Sequence, residues 1–179
     1  MIMRARIGLL SVVGILLAAL AVVTVSSAAG AAAAGAKTPV VTTSGVGAIR
    51  LGATPAALRQ KNLIGKLRKG CELDPGQRVA PLRAPLRGWA TFAAHGHGLT
   101  GLTIEGGAET ARHIAVGSTA TEARAAYPHA IYQAPGTAKP FAQGFLWIPN
   151  PTHPKMTLVV DPRSRTVEAI AVPTPAFCE

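Results

Sequence analysis

Apolar and polar positions follow three different spacings along this chain. From Ile7 to Val25 nearly every residue is apolar, a run of nineteen that follows Arg4 and Arg6 and gives way to small residues from Ser26 to Ala36. That order of charge, apolar run and small residues is the layout of a secretory signal. Residues 1–36 are therefore expected to be a signal peptide, cut after Ala29, Ala31, Ala34 or Ala36. A run of this length also reaches across a bilayer, so an uncleaved N-terminal anchor is the alternative. Residues 37–45 are polar and are expected to be a linker.

After the linker the spacing becomes that of short helices followed by strands. Ile49-Arg50-Leu51-Gly52-Ala53-Thr54-Pro55 and Ile114-Ala115-Val116-Gly117-Ser118-Thr119-Ala120 align without a gap, sharing Ile, Gly and Thr. Thr54 and Thr119 stand where a hydroxyl can accept from a free N–H of a helix's first turn. Pro55 suits the first helical position, where its missing N–H costs nothing. Glu122, three residues after Thr119, completes a capping box. Gly52 and Gly117 suit a backbone turn just before the cap. The first helix is expected to reach Lys61, with a second helical turn within Asn62–Lys69. The other helix is expected to end near Tyr127, because Pro128 disfavours helix at the residue before it.

Strand spacing follows each helix. Trp89–Ala93 reads as a strand. In Leu99–Glu105, apolar Leu102 and Ile104 alternate with polar Thr103 and Glu105. Arg78–Arg87 holds Pro81 and Pro85, which argues for an edge or a loop. Phe145–Ile148, Met156–Val160 and Val167–Val172 are further strands, the last with Val167, Ala169 and Ala171 on one side and Glu168, Ile170 and Val172 on the other. The fold class expected is α+β. It would consist of two tandem repeats, 46–106 and 107–179, each a short helix followed by an antiparallel β-sheet of two to three strands.

The hydrophobic-x-hydrophobic-Gly-x-Thr stretch opening a short helix before an antiparallel sheet, present twice, resembles the tandem modules of the β-lactamase inhibitor protein group of actinobacteria. It is also similar to the single module of the SmpA/OmlA family of bacterial outer-membrane lipoproteins. The residues that carry this are Ile49, Leu51, Gly52 and Thr54, then Ile114, Val116, Gly117 and Thr119, with the placing of Cys71 and Cys178. The inhibitor group meets its target enzyme through aromatic residues on a sheet face. The residues here that can serve in that way are Trp89, Phe92, Phe145 and Trp147.

Composition narrows the function. The Ala, Arg, Gly and Pro bias is similar to that of high-GC bacteria. The chain carries a formal net charge of +10, of which Arg4 and Arg6 account for two. The remainder is uneven: residues 37–87 hold ten basic residues against Glu72 and Asp74, whereas residues 88–179 hold six of each sign. Arg59, Lys61, Lys66, Arg68 and Lys69 concentrate this charge, with no acid from Arg50 to Lys69. Such a face can meet an anionic cell-envelope component or an acidic protein; equally, it can be a solvated surface. The absence of interleaved aromatics and the export signal argue against nucleic acid.

Cys71 and Cys178 are the two cysteines, and in an oxidising compartment an even pair reads as a disulfide. Loop-entropy models give a bridge of that span roughly 4–5 kcal/mol. Free thiols or metal ligands are the alternatives. His95 and His97 form an H-x-H pair that His113, His129 or His153 can join in space, although the glycines around them favour a solvated hairpin tip. No G-x-S-x-G, S-x-x-K or phosphate-binding glycine loop is present. The expectation is a secreted, non-catalytic binding protein without a cofactor, engaging a protein or an anionic envelope surface through Trp89, Trp147 or the basic segment. Its only expected tie to a membrane is an uncleaved signal. The alternatives are a structural envelope protein without a specific ligand and a metal-binding protein acting through His95 and His97.

Overall fold

The structure, a computed structural model, describes residues 37–70, 74, 76–94, 97–137 and 141–176. The expected signal segment, Cys71, Cys178 and His95 lie outside the described residues. In chain order the elements are β1 (Val40–Thr42), β2 (Gly45–Val46), β3 (Ile49–Arg50), α1 (Pro55–Gln60), β4 (Arg68–Lys69), β5 (Arg78–Pro81), β6 (Arg87–Phe92), β7 (Leu99–Gly106), β8 (Glu109–Thr110), α2 (Ala120–Ala126), β9 (Ile131–Gln133), β10 (Gly144–Ile148), β11 (Met156–Val160) and β12 (Val167–Val172). Among the described residues no helix is long and apolar enough to cross a membrane.

This corrects the α+β expectation of two helix-plus-sheet repeats. Among the described residues the protein is mostly β, with two helices of six and seven residues. Its strands form one four-stranded sheet, ordered β3-β2-β1-β8, and one eight-stranded sheet, ordered β4-β5-β6-β7-β12-β11-β10-β9. The larger sheet therefore runs through both of the segments expected to hold a sheet each. β7 and β12 join it, pairing Leu102 with Val172, Thr103 with Ala171 and Ile104 with Ile170. The physical reason is burial. Leu102, Ile104, Ile170, Ala171 and Val172 are all buried, so neither strand can stand as a solvated edge.

Residues facing one another across the strands share a side of the sheet. The inner side carries the row Gly88, Ile104, Ile170, Leu158, Leu146 and Tyr132. From Ile104 to Tyr132 these side chains join Val41, Val46 and Ile49 of the small sheet, Leu58 of α1 and Ala123 of α2 in one core. Residues 40–42, inside the stretch expected as a linker, are thus a core strand. The second helical turn expected within Asn62–Lys69 does not form; Asn62 closes the turn after α1 at φ +54°, and the chain beyond it pairs as strand at three positions. Ile64 bridges Leu82, and Arg68 and Lys69 pair with Val79 and Arg78.

Both helix starts form as their residues predict. Thr54 accepts from Ala57 N–H and Thr119 from Glu122 N–H. Gly52 and Gly117 have φ of +83° and +97°, which glycine adopts at little cost. Each start is also tied to a central strand. Gly52 N–H donates to Leu99 carbonyl, and Gly117 N–H donates to Val167 carbonyl. The likeness is local to these two segments, since the sheet beyond them is undivided.

The second cap is the stronger device, because Glu122 accepts from both Thr119 N–H and Thr119 Oγ1 at 2.7 and 2.8 Å. These bonds, the backbone one first, hold the Glu122 carboxyl below its ordinary value of 4.5. A lowered carboxylate contributes stability above that value and loses it as pH falls through the folded value. Thr119→Ala is expected to cost about 1 kcal/mol at neutral pH, and less in acid below pH 4.5, where Glu122 protonates. Thr54→Ala is expected to show no such trend. Urea denaturation of both variants across this range checks the contrast.

Candidate functional site

The outer side of the eight-stranded sheet lies away from the core. One row across it reads Pro81, Trp89, Thr103, Ala171, Thr157, Trp147 and Ile131. Trp89 and Ile131 are 38% and 48% exposed, whereas Ala171 and Thr157 in the middle are buried. The segment after β12 turns back over that middle. Thr157 Oγ1 donates to Pro173 carbonyl at 2.9 Å, and Thr174 carbonyl stands over Gly101.

That strap separates two open hollows. The first, about 420 Å³, has Lys69, Val79, Trp89, Thr91, Thr103, Glu105 and Ala176 on its walls. The second, about 460 Å³, is lined by Thr103, Glu105, Gln143, Val159, Glu168, Ala169 and Pro175. Thr103 and Glu105 belong to both. Beyond the second hollow lies an aromatic cluster. Phe145 meets Phe141 edge-on at 6.0 Å and Trp147 at 5.1 Å. Trp147 Nε1 donates to Gln133 Oε1, so this indole is held by its polar tip as well as its rings.

The fold places each of the expected aromatic contact residues, and two sequence expectations are corrected. Trp89 and Trp147 do share a face, but three strands lie between theirs, which puts them roughly 19 Å apart. They are two separate apolar points rather than one patch. Phe92 is fully buried on the inner side, and Phe145 is fully buried beneath its neighbours, so neither is an open contact residue. The expected alternation of β12 also fails. Val160 pairs with Val167 and Val159 with Ala169, which leaves Glu168 as the extra residue of a bulge. Val167 therefore joins the core with Ile170 and Val172, while Glu168 and Ala169 both line the outer hollow.

The bulge is how the fold places a carboxylate where simple alternation does not. Burial is the main influence raising the Glu168 carboxyl above its ordinary 4.5, with the negative charge of Asp161 adding to it. A raised carboxylate is neutral in its effect at low pH and becomes a burden as pH climbs above 4.5 through the folded value. Glu168→Gln is expected to raise Tm relative to the parent at pH 7 and to leave it nearly unchanged at pH 4. A thermal melt at the two pH values checks this. One sign of Glu168 was visible beforehand: it is the lone charged residue in Val167–Val172. Nothing in the sequence placed it on the same hollow as Glu105.

The basic segment is divided by the fold. Lys69 lines the first outer hollow, whereas Arg59 and Lys66 line a different groove, about 560 Å³, on which Arg83 also opens. Lys61 and Arg68 are exposed, Lys61 capping the end of α1 and Arg68 on the sheet edge. Charged side chains on an edge strand also discourage pairing with another chain. His97 is exposed at the tip between β6 and β7. Among the described residues no three of His, Cys, Asp and Glu are grouped as a metal ion needs. His113 Nδ1 stands within hydrogen-bond distance of Glu109 Oε1, at 3.3 Å. The chain matches no protein-family model, no curated protein and no solved structure.

Proposed function

We propose that this chain is an exported, non-catalytic binding protein that receives a protein partner on the outer side of its eight-stranded sheet. The observation that carries the reading is Trp89, 38% exposed on a wall of an open hollow in an otherwise ordered antiparallel sheet. A large aromatic ring half out of water beside apolar Val79 and polar Thr91 and Thr103 is the composition of an interface anchor. The hollow's rim carries both signs, Lys69 and Glu105, which suits a partner loop with polar flanks around an apolar tip. A sheet-face contact is also what the resemblance to the β-lactamase inhibitor group implies.

The test uses the full chain with a photoreactive side chain in place of Val79, exposed to the envelope fraction of its own source. A control carries the same group at Thr43, on the turn between β1 and β2. A protein captured only at position 79 is then purified and titrated. Trp89→Ala is expected to weaken its binding by about thirtyfold, the size of a central aromatic anchor. Equal capture at both positions, or equal affinity of the Trp89→Ala variant, overturns the reading.

A further inference from the structure

We propose that the groove at the end of α1 binds a phosphate-bearing anion through Arg59, Lys66 and Arg83. The groove shares no lining residue with the two hollows of the outer sheet face. Leu63 N–H donates to Leu58 carbonyl and Asn62 N–H to Arg59 carbonyl, with Asn62 at φ +54°. That is a Schellman ending, which reverses the chain and uses up the last helical carbonyls.

The reversed segment is then fastened along residues 81–83. Arg83 N–H donates to Leu63 carbonyl at 3.0 Å, Gly65 N–H donates to Pro81 carbonyl at 2.8 Å, and Ile64 bridges Leu82. Three stretches of chain thereby bring three cations to one groove of about 560 Å³, with Asn62 beside them and Ile64 and Leu67 in its lining. All three cations are exposed. None of the three charged side-chain groups has a hydrogen bond or ion pair with another described residue; the Arg50 guanidinium, by contrast, is held by Thr42 and Ser44. Neither Arg50–Lys69 nor Gln77–Ile104 contains an Asp or Glu.

Like charges brought together on a fixed backbone repel one another unless an anion joins them. Guanidinium forks match the oxygens of phosphate two at a time, and a lysine adds a point charge. Three cations on one groove exceed the charge of a single phosphate, which suits a ligand carrying several, whether a soluble chain or a cluster of lipid headgroups.

The experiment titrates the full chain with tripolyphosphate by calorimetry at low and at high salt. Single-site, salt-sensitive binding is expected. Arg59→Gln, Lys66→Gln and Arg83→Gln are each expected to weaken it about two- to fivefold, the size of an exposed charge contact. All three together are expected to weaken it more than about tenfold, the product of such steps. Lys155→Gln with Arg163→Gln removes two comparable exposed charges elsewhere and is expected to change nothing. Absence of saturable binding, or equal weakening by that control pair, overturns the proposal. The source is read by sedimentation with phosphatidylglycerol and phosphatidylcholine vesicles. Groove-dependent binding to the former alone, displaced by tripolyphosphate, identifies lipid headgroups; binding of tripolyphosphate without vesicle binding identifies a soluble chain.

Discussion

Phe92→Ala is expected to destabilise the fold by about 3–5 kcal/mol, the range for deleting a buried aromatic side chain. Phe92 ends β6 on the inner side of the sheet, with no exposed surface, and belongs to the core shared by both helices and the small sheet. Truncation there removes buried apolar area and leaves a cavity that the paired strands cannot close. Domains of this kind have about 5–15 kcal/mol of stability in all, so the loss is a large share. Trp89, three residues earlier on the same strand, faces the other way and is 38% exposed. Trp89→Ala is therefore expected to cost much less stability, about 1 kcal/mol or below. Urea denaturation of the two variants measures the contrast. Similar losses for both would mean that the two sides of β6 are not distinguished as described.

The second large effect is expected from Gly88→Ala. Gly88 has φ +125° at the irregularity where β6 shifts register against β7. A Cβ there would stand 2.0 Å from Thr103 carbonyl oxygen, a backbone atom that has no rotamer to move. Strained backbone and overpacking act together, and the expected loss is roughly 2–5 kcal/mol. Gly101→Ala is the matched control in β7. Its added Cβ would meet nothing closer than 3.6 Å, so it is expected to stay within about 1 kcal/mol of the parent. A calorimetric or chemical melt of both variants decides the matter, and a harmless Gly88→Ala would show that the bulge is not fixed by this contact.

These two sites show how the chain's information is divided. The helix starts were legible because capping is a local affair: Thr54, Thr119 and Glu122 lie within three residues of the groups they serve. The strands from β6, β7 and β10 to β12 were legible as apolar runs. β1 to β4, β8 and β9 are two or three residues long and have too little pattern to announce themselves. The facing of β12 was misjudged because alternation assumes an unbroken ladder, and the bulge at Glu168 breaks it. Phe92 was misassigned for a simpler reason: an aromatic residue at a strand end has the same composition whether it faces the core or a partner.

The candidate sites divide along the same line. The charge of Arg59–Lys69 could be counted from the chain, but Arg83 enters the groove only because residues 62–65 fold back beside residues 81–83. Glu105 and Glu168 line one hollow because β7 and β12 are neighbours in space.

By itself, the sequence determined where the helices begin, where the principal strands run and where positive charge is dense, since each depends on residues a few positions apart. The tertiary structure alone decided that one sheet crosses both halves, which residues face the core, and which charges share a groove. Those outcomes depend on pairing between distant strands, and burial of β7 and β12 against each other selected it.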